Sequence, residues 1–369
     1  MSGAASGTGA GTSPGARTGP ATAAGGGGTG PAGLGGAGEA IDRIIATDVA
    51  GRGAVAVLYE AARRIQGEPL AWRAGRILAS LAPGSRVLLA TGWPHRPHVA
   101  HDVAETDGPP GAAVLARTLA ELAGAVPVVA VEPALVAATE AVMRAAGLRP
   151  VPADALARAR EVPAPLQVAS VLPMPVELEE GRHFAGELFE SLRPAAAVVI
   201  EKGGLNAAGR AHTSRGHDTT WAVAKADLLV EEARRRGVPS VAVGDGGNEV
   251  GMGLIRDTVR RELPYGERCQ CPCQGGIAPV QPVDSLVVAA VSNWGAYGIA
   301  AALSVLKGQD WPHDARQEAR VLEAAAAAGL CDGPTGWVGP MVDGLPLDVH
   351  QAVVTLLGEV VRKSRWTWR

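Results

Sequence analysis

Cysteine, charge imbalance and long apolar runs are all scarce in this chain of 369 residues. The four cysteines are Cys269, Cys271, Cys273 and Cys331, three of them at alternate positions of one short stretch. A secreted disulfide scaffold is smaller and denser in cysteine, which excludes that class. The formal net charge is −3, so bulk electrostatics does not draw the chain to nucleic acid or to an anionic membrane surface. No apolar run reaches the roughly 18 residues of a membrane-spanning helix. The chain does not open with a basic region followed by an apolar one, so no signal peptide is expected and a reducing cytoplasm is the default compartment. Lysine is scarce beside arginine while alanine, glycine and proline abound; this is read as GC-rich coding and carries no functional meaning.

Hydrophobic side chains make up 47% of the sequence, enough to bury the core of one large or two ordinary domains. Residues 1–38 stand apart. They are almost wholly Gly, Ala, Thr, Ser and Pro, and Arg17 is their only charged side chain. Such a segment cannot bury enough apolar surface to offset its ordering entropy, so a disordered Gly/Ala-rich tail is expected over 1–38 and a folded domain over 39–369.

Within that domain, short Val- and Ala-rich runs recur: Val87–Ala90, Val126–Val131, Ala195–Ile200, Val241–Val243 and Leu286–Val291. Near-continuous apolar runs of this length suit strands buried on both faces. Pro127 fits the first position of its strand or an edge. Amphipathic helical patterns fall between the runs, over Ala54–Ile65, Gly111–Leu122, Pro133–Ala146, Thr219–Arg236, Ala296–Leu306, Asp314–Ala328 and Leu347–Arg362. The alternation predicts an α/β fold: three layers, with a mainly parallel sheet flanked by helices.

The segments that follow the strands are polar and glycine-containing: Thr91-Gly92-Trp93-Pro94, Glu201–Asn206, Gly244–Glu249 and Ser292–Gly295. Ligands of parallel sheets bind outside the carboxyl ends of the strands, so four such loops on one edge predict one continuous site. In Gly244-Asp245-Gly246-Gly247-Asn248-Glu249, two carboxylates stand within four residues beside Asn248. They suit a substrate ammonium, a divalent ion or acid–base work; the competing reading is a glycine-rich turn whose Asp caps a helix. The segment imitates a dinucleotide fingerprint, but its internal acids argue against a pyrophosphate, and no nucleotide cofactor is expected. The loop Glu201–Asp218 carries Lys202, Asn206, His212, Arg215, His217 and Asp218; Arg215 or Lys202 suits a substrate carboxylate, and a solvated loop is the plainer alternative. Thr106-Asp107-Gly108 precedes a helix and suits a carboxylate on free N–H groups, or is an ordinary helix entry. Ser292 and Asn293 offer neutral hydrogen bonds at a strand end, whereas Trp294 is expected in the core.

Two patterns imitate metal sites. His95, His98 and His101 have three-residue spacing, but Pro94 and Pro97 disfavour the regular helix that would align them. Cys269-Gln270-Cys271-Pro272-Cys273 lacks the usual two-residue gap of zinc cysteines; a metal or cluster, with Cys331 as a fourth thiolate should it lie nearby, is the lesser reading, and ordinary reduced loop cysteines are the favoured one.

Taken in order, Glu105–Gly111, Glu201–Asp218, Gly244–Gly253, Val291–Tyr297, Asp332–Gly336 and Val342–Pro346 resemble the C-terminal type of domain in the D-glutamate cyclase family. The resemblance covers about 39–369. Larger vertebrate relatives carry a further domain upstream and look mitochondrial, a location not carried over to this chain. The resemblance implies cyclisation of D-glutamate to 5-oxo-D-proline with loss of water. That chemistry needs a base for the ammonium and an acid or cation for the departing oxygen, with the two substrate ends brought together.

On chemical grounds, Asp245 or Glu249 is expected to receive the amine proton. Lys202 or Arg215 would neutralise the γ-carboxylate, and His212 or His217 would protonate the leaving oxygen. Thr106, Asp107, Gly108, Asn206, Asp218, Gly246, Gly247, Asn248, Ser292 and Asn293 complete the expected substrate site. A divalent metal on Asp245 and Glu249 is an alternative electrophile. The partner is then a small molecule; nucleic acid and membrane are not expected, and homo-oligomerisation stays open. The rivals are a lyase or hydrolase acting on a related amino acid or lactam, a non-catalytic binder of an acidic amino acid, and a metal or redox protein built on the cysteines.

Overall fold

The computed structural model describes residues 32–159 and 166–365. The strands are β1 (Arg86–Ala90), β2 (Val126–Val131), β3 (Arg149–Pro150), β4 (Val168–Pro173), β5 (Ala196–Ile200), β6 (Ser240–Gly244) and β7 (Ser285–Val288), followed by a short hairpin of β8 (Met341–Val342) and β9 (Leu345–Pro346). The helices are α1 (Ala32–Ile45), α2 (Ala54–Gln66), α3 (Leu70–Ala79), α4 (Pro109–Leu122), α5 (Val136–Ala145), α6 (Leu178–Leu192), α7 (Asp227–Arg235), α8 (Arg256–Glu262), α9 (Ser292–Lys307), α10 (Ala315–Ala327) and α11 (Leu347–Ser364).

Strands β1 to β7 form one sheet in the order β3-β4-β2-β1-β5-β6-β7. Every pairing in it is parallel. The predicted α/β class and parallel sheet therefore hold. Central strands β1, β2, β5 and β6 are apolar on both faces and nearly all buried, the pattern expected of a sheet covered by helices on each side. Pro127 is the second residue of β2, a strand with neighbours on both sides. The β4 ladder begins only at Val128, so the missing N–H of Pro127 falls where β2 is locally an edge.

Helix α9 is buried along almost its whole length and packs against α4, α3, α11 and α1. A helix apolar all round is a core helix, and α9 serves as the axis of the layer on its side of the sheet. Trp294 and Tyr297 are fully buried there and donate to His350 Nδ1 (2.9 Å) and Glu318 Oε1 (3.0 Å). α6 and α7 pack on one another, and α7 lies against β5 and β6.

Several boundaries differ from expectation. α1 begins at Ala32, inside the segment read as tail, with Ala37 and Ile41 buried; residues 1–31 lie outside the described residues. The helix read over Thr219–Arg236 is helical only over Asp227–Arg235. Ahead of it the chain is held in turns, with the Ala224 N–H donated to Glu132 Oε1 at 2.8 Å. α9 starts at Ser292, so Ser292 and Asn293 belong to a helix's first turn.

Candidate active site

The chain leaves β1 towards β2 on one side and leaves β5 towards β6 on the other, so the order of connection reverses between these adjacent strands. This switch point is where an open parallel sheet leaves a crevice for a ligand. The exits of β1, β5, β6 and β7 are consecutive neighbours and share one edge, as the four polar loops predicted.

Two helix N-termini meet at this edge. Asp107, just ahead of α4, accepts the N–H groups of Ser292 (2.9 Å) and Asn293 (2.8 Å) at the start of α9. Asn293 Oδ1 accepts those of Gly108 (3.0 Å) and Gly111 (2.7 Å) at the start of α4. Each helix is thus capped by a residue of the other, and orphan donors of both first turns are satisfied. Gly108 has φ 105°, and a Cβ there would stand 2.7 Å from Thr91 Oγ1, so only glycine fits.

Asp245 is the hub of an acidic centre. Carboxylate oxygens of Asp107, Asp245 and Asp343 lie within 4.8 Å of one another, and so do those of Glu201, Asp245 and Glu249. Arg52 lies over the hub. Its Nη2 donates to Asp245 Oδ2 at 2.6 Å and also to the Ala290 carbonyl. Its Nη1 is 3.4 Å from Asp343 Oδ2, an ion pair without hydrogen-bond alignment. Ser292 Oγ donates to Glu201 Oε2 at 2.6 Å. Glu249 Oε1 accepts the N–H groups of Asp245 (3.0 Å) and Gly246 (2.6 Å), while its Oε2 is buried without a hydrogen-bond partner among the described residues. Gly244 allows this return of Glu249 onto the strand end, because a Cβ there would meet Glu249 Oε2 at 2.9 Å. Glu201 (φ 46°) and Asp343 (φ 54°) are held in left-handed backbone, a conformation that non-glycine residues adopt rarely and that concentrates at functional sites. Asp332 supports the turn that presents Asp343 by accepting the Gly344 N–H at 2.7 Å.

Burying several carboxylates together disfavours their ionisation. Burial, and then the charge of Asp245, push Asp107, Glu201 and Asp343 well above the carboxylate range. The same causes, partly offset by the two backbone donors, bring Glu249 to about 7. Arg52 is driven further into its charged form, chiefly by Asp245. Both carboxylate sets offer the hard oxygen donors that a divalent cation takes, and the Arg52 guanidinium occupies Asp245 in this structure.

The structure gathers some expected residues here and sends others elsewhere. Asp107, Gly108, Asp245, Gly246, Glu249, Ser292 and Asn293 form the centre. Thr106 borders it, buried, with its carbonyl accepting Asn293 Nδ2 at 3.2 Å. Gly247, at φ 88°, shapes the turn. Asn248 is a brace, donating to the His212 carbonyl at 2.8 Å. Lys202 corrects the expectation for it: the ammonium is fully buried, tied to Glu132 and the Gly92 carbonyl (2.7 Å), so the charge is already neutralised inside the fold. His212 also turns away, its Nε2 3.2 Å from Cys271 Sγ. His217 and Arg215 are exposed on the tight turn joined by the Thr213 N–H and His217 carbonyl. Asn206 accepts the N–H groups of Ala208 and Arg210 within its own loop, and Asp218 caps Thr220 N at 2.8 Å. His95 pairs with Glu105 (3.3 Å) and His101 stacks edge-on against Trp221; among the described residues the histidine trio forms no common donor set. Cys331 lies beside Ala104 and Glu105, apart from the other thiols.

Sequence reading missed Arg52, Glu201 and Asp343 as site residues. Glu201 directly follows a strand, and Asp343 falls in a family-like segment; both were readable signals. Arg52 stands 193 residues from Asp245, and no local pattern marks it. A broad surface depression along α6 is walled by exposed ion-pairing residues such as Arg182, Glu187 and Arg236 and contains none of this cluster.

Fold and site together describe an α/β protein with an acidic crevice at the switch point of a parallel sheet. The model of the D-glutamate cyclase-like C-terminal domain matches residues 41–358, and the chain belongs to that family. It is 27% identical over 307 residues to "D-glutamate cyclase, mitochondrial" of Homo sapiens. That alignment covers 76% of this chain and 46% of the human protein, so the chain spans less than half of that relative.

Proposed function

We propose that this chain is a D-glutamate cyclase, a hydro-lyase that closes D-glutamate to 5-oxo-D-proline and water. The observation that carries the reading is the charge pattern at the switch point. Arg52 suits the γ-carboxylate, and Asp245 beneath it suits the ammonium, so a folded-over glutamate would have both ends held within one crevice. The nitrogen attacks the γ-carbon, one C–N bond forms and one C–O bond breaks, and two protons pass from nitrogen to the departing oxygen, which leaves as water. Glu249, at about 7 and with Oε2 unpartnered, is the base that takes these protons and returns them. Asp245 holds the ammonium and Arg52. Arg52 takes the charge-neutralising part that the sequence offered to Lys202 or Arg215. Asp107, Ser292 and Asn293 fix the crevice wall, and Asn248 braces the glycine loop.

The partner is a small molecule, and the proposed compartment is the cytoplasm; among the described residues no helix is long and apolar enough to cross a membrane. The test is to incubate purified protein with D- and L-glutamate separately and to quantify 5-oxoproline by chiral chromatography, with and without chelator. Product from D-glutamate alone supports the reading. Tight binding of D-glutamate without product would instead make this a binder. Activity lost to chelator and restored by Mg²⁺ would point to a divalent ion at the acidic centre as the electrophile.

A further inference from the structure

Away from the acidic centre, the segment 264–282 folds back against the loop that follows β5. Its three cysteines converge there. Sγ of Cys269 lies 3.5 Å from that of Cys271 and 3.3 Å from that of Cys273, and Cys271 and Cys273 are 3.2 Å apart. A fourth donor comes from the opposing loop: His212 Nε2 is 3.2 Å from Cys271 Sγ and 3.6 Å from Cys273 Sγ. All four donor atoms lie within 4.8 Å of one another, and His212, Cys269 and Cys271 are buried.

We propose that His212, Cys269, Cys271 and Cys273 form a structural zinc site. Three thiols and one imidazole with their donor atoms within 4.8 Å of one another match the Cys₃His ligand set of tetrahedral zinc. With a Zn–S bond of about 2.3 Å, a regular tetrahedron sets its sulfurs about 3.8 Å apart, a few tenths of an ångström wider than the 3.2–3.5 Å found. A multi-iron cluster would hold its cysteines further apart, because irons and sulfides stand between them. Cys273 Sγ accepts the Gly275 N–H (3.5 Å) and Asn206 Nδ2 (3.6 Å), and such second-layer donors steady metal-bound sulfur.

The local structure is built to hold this geometry. Gln270 is clamped at both ends, its N–H on the Gly216 carbonyl (3.0 Å) and its Nε2 on that of Arg215 (2.7 Å). Asn206 Nδ2 donates to the Gly276 carbonyl at 2.7 Å. Four protein donors fill a tetrahedral shell and leave no open position, so the role is structural. Its reach extends to the acidic crevice, because the His212 carbonyl accepts Asn248 Nδ2 and the Asn248 carbonyl accepts the Gly204 N–H at 2.9 Å. The metal would join the loop after β5 to the loop after β6. This proposal does not depend on the cyclase reading, since it is read out by metal content.

The test uses the whole chain, expressed with zinc in the medium and exchanged into metal-free buffer. Elemental analysis should find one zinc per chain. X-ray absorption at the zinc edge should show three sulfurs at about 2.3 Å and one nitrogen at about 2.0–2.1 Å. Cobalt in its place should give thiolate-to-metal charge-transfer absorption. Cys271→Ser should lower zinc retention against a competing chelator at least tenfold, while Cys331→Ser should leave it unchanged. Should Cys271→Ser fail to fold, the absorption spectrum of the unaltered protein decides the matter alone. Zinc well below one equivalent, a first shell of oxygen and nitrogen only, or a disulfide among the three cysteines in freshly purified protein would each overturn the proposal.

Discussion

Asp107 and Asn293 cap each other's helices: the carboxylate of one receives the first N–H groups of α9, and the amide oxygen of the other receives those of α4. The reciprocal lock sets the angle at which two buried helices reach the crevice. Asn293→Ala would leave the Gly111 donor buried and unpaired, and the Gly108 N–H with only Asp107 Oδ1 at 3.1 Å. We expect a loss of about 1–3 kcal/mol in denaturant unfolding, since an unmet buried donor carries its full desolvation cost. A change within a few tenths of a kcal/mol would mean that water replaces the amide and that the lock is dispensable.

Lys202 separates a structural from a catalytic assignment. Its ammonium is buried against Glu132, whose Oε1 also accepts the Ala224 N–H. Removing one partner of a buried pair strands the other charge, so Lys202→Met should destabilise the fold by about 3–5 kcal/mol. Thermal unfolding measures this. A stable but inactive Lys202→Met protein would restore Lys202 to the reacting centre.

Glu249 should govern the pH dependence of turnover. A base must be ionised to accept the amine proton, so kcat/KM should rise with pH through about 7, the value to which burial brings this carboxyl. Glu249→Gln should lower the rate about 100-fold to 10,000-fold and flatten that limb. A limb unchanged in the variant would assign the titration to another group.

Stability should move with pH in the opposite sense. Burial raises Asp42 and Asp227 to about 6 and Glu249 to about 7, above their ordinary values of 3.8, 3.8 and 4.5. A raised folded-state value means that the folded chain holds the proton more tightly, so stabilisation is full below the ordinary value and is lost as pH rises through the folded one. Between about pH 4 and pH 7 the melting temperature should therefore fall. A melting temperature that rises over this interval would contradict the burial of these acids.

The sheet was legible where its strands carry continuous Val and Ala runs. β2 was readable over its whole length, and β5 to within one residue, because strands covered on both faces leave no room for polar residues. β4 was not, since Ser170 and Pro173 interrupt its run and half of it is only partly buried. The four crevice loops were legible as polar, glycine-containing strand exits, although their adjacency required the strand order. Within them, residue type misled where charge was already neutralised: Lys202 and His212 have reactive side chains, yet each is turned towards a partner on another segment. Arg52 was invisible for the converse reason, as its meaning arises only when the start of the domain folds over the end of β6.

Asp245→Asn tests the central claim most directly. The substitution keeps the shape of the hub and removes the charge that faces Arg52, so turnover of D-glutamate to 5-oxo-D-proline should be abolished while circular dichroism and the melting temperature stay near those of the unaltered chain. A folded Asp245→Asn protein that cyclises D-glutamate at the full rate would remove the acidic centre from the chemistry.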